Sequence, residues 1–149
     1  MIEYKSFAKE IKVVYNVKDT VLKAKINSAR DLYEFLKDMW PVDICHKEAA
    51  MAVYLNRANN TIGYSTLSMG GIVGTVIDLK VLLQEALLCN ASNIIVAHNH
   101  PSGNLTPSES DKTITAKIKA ACKIMDIDLL DHVIFTEESY FSFGEEGLL

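Results

Sequence analysis

Residues 93–111 read NIIVAHNHPSGNLTPSESD. The opening run, Asn93–His98, is short and apolar, the kind of strand that is buried on both faces of a sheet. It ends on two histidines one residue apart. Side chains of an extended segment alternate, so His98 and His100 face one way and Asn99 the other. Pro101 and Gly103 set a turn, and Asn99 and Ser102 shape the loop around it. A helix start comes next. Thr106 is a good N-cap, Pro107 suits the first helical position, and Glu109 completes a capping box. That frame leaves Ser108 and Asp111 outside the cap, spaced i, i+3 on one helix face. A strand end and a helix start then aim two imidazoles and one carboxylate at one point. The point lies beyond the carboxyl end of a sheet strand, where α/β proteins place ligands. Zinc accepts such donors, and a three-ligand set leaves a fourth position open for water. Spacing alone leaves two readings open, a polar loop and an open metal site.

Outward from this stretch, strands and helices alternate. Lys9–Val17 is rich in β-branched residues and reads as a strand, an edge one. Ser28 caps the amphipathic helix SARDLYEFLKDMW, with Leu32, Phe35, Leu36 and Met39 on one face, and Pro41 stops it. Glu48–Asn56 and TIGYSTLSMG read as a hairpin closed by NRANN. Gly70, Gly71 and Gly74 mark a bend. Asp78 caps DLKVLLQEALLCN, whose Val81, Leu82, Ala86, Leu87 and Leu88 recur at helical spacing. After the loop come a long helix, about 107 to 125, and the strands LLDHVIFT and SYFSF. The class is α/β with a mixed sheet.

Composition narrows the function classes. The chain has 149 residues, 49% hydrophobic and 23% charged, enough for one domain with a core. No apolar run reaches the ~18–20 residues of a membrane span, and the charged start MIEYKSFAKEIK lacks the apolar stretch of a signal peptide. Cys45, Cys89 and Cys122 are odd in number and widely spaced, which fits a reducing cytoplasm and no disulfide framework. Cys89 and Cys122 read as small core residues. The net charge is −4, split as +4 over residues 1–30 and −8 over the rest. The main body thus lacks the basic charge expected where affinity rests on phosphate contacts. Lys9, Lys12, Lys23 and Lys25 read as a solvated strand face.

His98-x-His100, seven residues, Ser108, two residues, Asp111 matches the JAMM motif of the MPN metallopeptidases. More narrowly, HNHPSGNLTPSESD resembles the signature loop of the RadC family of bacterial proteins, historically called DNA-repair proteins. The likeness takes in SARDLYEFLKDMW, HKEAAMAVYLN, GGIVGTVIDLKVLLQEALLCNASNIIVAHNHPSG, LLDHVIF and FGEEGLL, roughly residues 28–149. The resemblance implies a single MPN (JAMM) domain over 28–149, preceded by a strand and lead segment over 1–27. Its fold would be a curved mixed β-sheet flanked by helices, related to the cytidine-deaminase architecture. It implies one Zn2+ per chain held by His98, His100 and Asp111, and a fourth acidic residue at the start of an early strand. Glu48, in HKEAAMAV, matches that position.

The implied activity is cleavage of a peptide or isopeptide amide by zinc-activated water. Glu48 would carry the proton and the Ser108 hydroxyl would steady the oxyanion. Ser108 is not the nucleophile, because both nearby histidines are committed to the metal. Glu85, mid-helix in LLQEALL, is the rival acid and reads as solvated. His132, beside Asp131 in LLDHVIF, reads as a core residue or one supporting the ligands. His46 would face the same side as Glu48 in an extended segment but reads as a surface histidine. The substrate would be a peptide or protein, and the exposed hairpin edges would admit a dimer. The rival class is a non-catalytic metal-binding accessory in DNA repair or recombination. Long members of the family carry an N-terminal helix-hairpin-helix region associated with DNA, and the lead read here shows no such Gly-rich hairpin. The His-x-Glu and Pro-Cys-x-x-Cys signature of zinc deaminases is absent.

Overall fold

The NIIVAH run is strand β3 of this numbering, and in the computed structural model every residue of Asn93–Asn99 is buried. The structure describes residues 24–70 and 76–149. The strand expected at 9–17, Lys9, Lys12 and Lys23 of the four lysines read around it, and Gly71 and Gly74 of the expected bend lie outside the described residues. The elements are α1 (Ala29–Lys37), β1 (Ala49–Leu55), β2 (Thr61–Met69), α2 (Leu79–Leu88), β3 (Asn93–Asn99), α3 (Glu109–Ile124), β4 (Asp128–Phe135) and β5 (Tyr140–Ser142). They form a five-stranded sheet in the order β2-β1-β3-β4-β5. Only the β3–β4 pair is parallel, so the sheet is mixed, as expected. Among the described residues no helix is long and apolar enough to cross a membrane.

Alternation of side chains gives the sheet two apolar faces. On one, Ala50, Ala52, Tyr54, Ile94, Val96 and Leu129 pack with Leu82 and Ala86 of α2 and with Ile118 and Cys122 of α3. On the other, Met51, Val53, Ile95, Ala97, Val133 and Phe135 meet Leu32, Tyr33 and Leu36 of α1. Each fully buried leucine of that helix is worth about 1.5–3 kcal/mol relative to exposure. Parity also sets the direction of the histidines. The even positions of β3 face α2 and α3, so His98 emerges there and Asn99 on the α1 side.

The helix caps are local and mostly as read. Ser28 Oγ accepts from Asp31 N at 3.1 Å, and Asp78 Oδ1 accepts from Lys80 N at 2.9 Å. Helix α1 ends at Lys37, short of Pro41, yet Trp40 still stacks on Phe135 with ring centroids 4.9 Å apart. In α2 only Leu82 and Ala86 are buried, while Leu87 and Leu88 at its end are exposed. Cys122 is in the core, Cys89 is half-buried and Cys45 exposed, and none of the three is in a disulfide.

One cap differs from expectation. Thr106 does not cap α3, and Pro107 and Glu109 do not play the parts expected of them there. The N-cap is Ser108, with Asp111 as the reciprocal partner: Ser108 Oγ accepts from Asp111 N at 3.1 Å and Asp111 Oδ2 accepts from Ser108 N at 2.7 Å. Serine outranks threonine as an N-cap, and the Asn104 side chain accepts from Thr106 N at 2.9 Å, which keeps Thr106 in the loop. The residue before a proline also avoids helical angles. Ser108 and Asp111 therefore form the cap they were expected to stand outside.

Candidate metal centre

Strands β1 and β3 pair antiparallel, with Ala50 opposite His98 and Met51 opposite Ala97. Carried two residues further, this register sets Glu48 opposite His100, on the face that His98 and His100 share. The segment before β1 is held there by Asn99. Its Oδ1 accepts from Ala49 N at 2.7 Å and from Trp40 Nε1 at 3.2 Å. Its Nδ2 donates to the carbonyls of Ile44 and Lys47, each at 2.8 Å. All four hydrogen bonds of a buried amide are made. The residue between the two histidines thus points away from them and fixes the chain that delivers Glu48. From the other side, Gly70 N donates to the Glu48 carbonyl at 2.9 Å.

The turn after His100 closes with Gly103 N donating to the His100 carbonyl at 3.0 Å, and Gly103 takes φ +76°, a left-handed value suited to glycine. His100 Nδ1 lies 2.6 Å from the Asn104 carbonyl oxygen. A carbonyl only accepts, so Nδ1 carries the hydrogen and Nε2 presents its electron pair.

Three such donors then meet. His98 Nε2 is 3.0 Å from His100 Nε2 and 3.2 Å from Asp111 Oδ1, and His100 Nε2 is 3.5 Å from Asp111 Oδ2. The three side chains are shielded but not sealed, at 5%, 15% and 15% exposure. Electron-pair donors this close repel unless a positive charge sits among them. Zinc at about 2.0–2.1 Å from tetrahedral ligands sets donor atoms roughly 3.3 Å apart; the two imidazole nitrogens lie near that spacing, and each lies near it from a different oxygen of Asp111. Among the described residues these are the one group of three or more histidine, cysteine or acidic side chains that could hold a metal.

The ionisation of the group follows its contacts. A proton can take the place of a metal on His100 Nε2: hydrogen bonding to Asp111 is then the largest influence and, with the Asn104 carbonyl, holds this imidazole above its ordinary pKa range, against the effect of burial. The Glu48 charge acts in the same direction. Burial pushes Asp111 upward, but the hydrogen bonds to His100 and His98 outweigh it and hold the carboxyl well below the usual range. Behind His98, His132 is fully buried and burial drives it down to about 3. Its Nε2 is 2.8 Å from His98 Nδ1, and its Nδ1 is 2.6 Å from Thr115 Oγ1.

His132 is thus a core residue that also touches a candidate ligand, as read. Asp131, its neighbour in sequence, faces the other way, accepting from Ser142 Oγ at 2.5 Å and Gly144 N at 2.9 Å. His46 is the surface histidine it was read as, exposed in a turn and not in an extended segment with Glu48. Glu85 is not solvated. It is half-buried, receiving hydrogen bonds from Tyr54 and Ser65, and so lies far along β1 from the histidines. Thr115 belongs to no motif. Its one sequence signal is the i+4 spacing from Asp111, which puts both on one helix face.

A family model described as RadC-like JAB domain matches residues 26–148. A UPF0758 protein of Flavobacterium johnsoniae is 41% identical over 124 residues, covering 83% of this chain and 53% of the relative. One from Thermotoga maritima is 38% identical over 125 residues, covering 84% and 55%. UPF0758 protein YfjY of Escherichia coli is 43% identical over 103 residues, covering 69% and 64%. The chain thus spans about half the length of the first two relatives. A five-stranded mixed sheet with three helices, a match over nearly every described residue and relatives at this identity lead to one assignment: the chain belongs to the family of RadC-like JAB domain proteins.

Proposed function

We propose that this domain is a zinc-dependent hydrolase that cleaves a peptide or isopeptide amide bond. The observation that carries the reading is the convergence of His98, His100 and Asp111, two imidazoles and a carboxylate whose ligand atoms lie within 4.8 Å of one another, with the charge of Glu48 felt at His100. Bound zinc would supply a Lewis acid that makes water acidic near neutral pH and polarises the amide carbonyl.

The protein's own groups do the rest. Glu48, held by the Asn99 clamp, takes a proton from the attacking water as its oxygen bonds to the carbonyl carbon. It returns that proton to the departing nitrogen as the C–N bond breaks, so acid and amine leave and Glu48 is restored. Ser108 Oγ already accepts from Asp111 N. Its own hydrogen remains to donate to the carbonyl oxygen as charge gathers there. Ser108 is exposed, within reach of a bound peptide.

The test pairs elemental analysis with a peptide-library cleavage assay on wild type and Glu48→Gln. Both proteins should carry zinc, and Glu48→Gln should lose about 10²–10⁴-fold in cleavage rate. Wild-type protein that cannot be loaded with zinc would sink the reading. A zinc-loaded wild type that cuts no faster than Glu48→Gln would remove Glu48 from the chemistry.

A further inference from the structure

We propose that Thr115 and His132 position the ligand His98 by dictating where its proton resides, holding it in the tautomer whose Nε2 electron pair faces His100 and Asp111. This rests on reading that cluster as a metal centre.

Counting hydrogens along the path fixes each tautomer. Thr115 Oγ1 lies 2.6 Å from the Asp111 backbone oxygen and 2.6 Å from His132 Nδ1. A carbonyl oxygen cannot donate, so the single hydroxyl hydrogen goes to Asp111. The hydroxyl oxygen must then accept, and His132 Nδ1 must be the N–H. His132 has no solvent exposure, and its ring lies flat against Phe143 with centroids 5.0 Å apart. Among the described residues its ring nitrogens meet a hydroxyl and an imidazole, with Asp131 turned to the opposite face. An imidazole in such surroundings stays neutral. With the hydrogen on Nδ1, His132 Nε2 is an acceptor. At 2.8 Å it takes the hydrogen of His98 Nδ1, and the electron pair of His98 is left on Nε2.

The two histidines are therefore wired differently. His100 is set in one step, by the Asn104 carbonyl. His98 is set in three, along a path that ends on the backbone of Asp111, another member of the cluster. The path closes a ring through α3, β4 and β3, so the helix and the strand that carry the candidate ligands are registered to each other by hydrogen direction as well as by packing. Partners of this kind orient metal-binding histidines and raise their affinity.

Thr115→Val keeps the shape and removes the hydroxyl. His132 Nδ1 then faces a methyl group, and the proton moves to Nε2, where His98 Nδ1 can accept it. The proton of His98 is driven onto its own Nε2, the atom a metal would use. Thr115→Ser keeps the wiring.

The experiment is heteronuclear NMR of the imidazole nitrogens in the full chain, metal-free and zinc-loaded, beside a zinc competition titration. Wild type and Thr115→Ser should show His132 protonated on Nδ1. Thr115→Val should show it on Nε2, with zinc bound about 10–100-fold more weakly. His132 protonated on Nε2 in wild type overturns the proposal, as does a folded Thr115→Val protein with wild-type tautomers and affinity. If Thr115→Val does not fold, the wild-type and Thr115→Ser tautomers still decide. The readouts separate the two readings: a wild type with the stated tautomers but no zinc uptake defeats the metal centre alone, and zinc uptake with His132 on Nε2 defeats the wiring alone.

Discussion

At one end of β1, Tyr54 donates its hydroxyl hydrogen to Glu85 Oε2 at 2.5 Å, and Ser65 donates to the same oxygen. At the other end, past Ala50, stand His98, His100 and Asp111. Both clusters occupy the same face of the sheet, both are partly shielded from water, and each contains one carboxylate. Their hydrogens run in opposite senses. Two hydroxyl hydrogens converge on Glu85, so that group is complete in itself. The imidazole hydrogens on Nδ1 of His100 and His98 are sent outward, to Asn104 and His132, which turns both Nε2 atoms toward each other and Asp111. Hydrogen direction separates a cluster that braces the fold from one that calls for a cation. Burial and polarity alone do not.

The largest effect should come from removing each carboxylate in turn. Asp111→Ala should drop the zinc content to background, because two imidazoles are left where a tetrahedral site needs a third protein ligand. Glu85→Ala should leave zinc at the wild-type level and cost about 1–3 kcal/mol of stability, the penalty for two half-buried hydroxyls that lose their acceptor. Elemental analysis and denaturant unfolding on both variants give the four readings. A folded Glu85→Ala protein without zinc would break the comparison. Asp111→Ala also loses half of the α3 capping box, so its circular dichroism must be recorded to show that the helix survives.

Much of this is legible in the sequence, for reasons that are local. Strand parity alone puts His98 and His100 on one side and Asn99 on the other, and the apolar run before them marks a strand buried on both faces. The register that brings Glu48 beside His100 is not local, and the family resemblance supplies that position. The α3 cap misleads because two cap signatures overlap, Thr106 to Glu109 and Ser108 to Asp111. A linear reading sees both, whereas only the loop geometry set by Asn104 chooses between them. Glu85 looks solvated because a helical pattern does not reveal that Tyr54 and Ser65, from two strands of a hairpin, point at it. Thr115 is invisible for a like reason: its partners come from a helix turn before it and a strand after it.

The smallest predicted effect tests the closed cluster through pH. Burial, and after it the hydrogen bond to Glu85, raises the Tyr54 phenol well above its ordinary value. A group whose folded pKa is raised contributes stability that is fully present below its unfolded pKa, near 10, and is lost as pH climbs beyond it. The unfolded chain can release that proton, while the folded chain must keep it or surrender the bond to Glu85. Tyr54→Phe should therefore be about 1 kcal/mol less stable than wild type near neutral pH. The gap should close above pH ~10, by up to about 1.4 kcal/mol per pH unit, because the phenylalanine has nothing to titrate. The remaining tyrosines affect both proteins alike, so the difference between the two unfolding curves isolates Tyr54. Curves that stay parallel through the alkaline range would mean that Tyr54 gives up its proton as readily folded as unfolded. Its hydrogen would then not be committed to Glu85, and the contrast between the two ends of β1 would lose its physical basis.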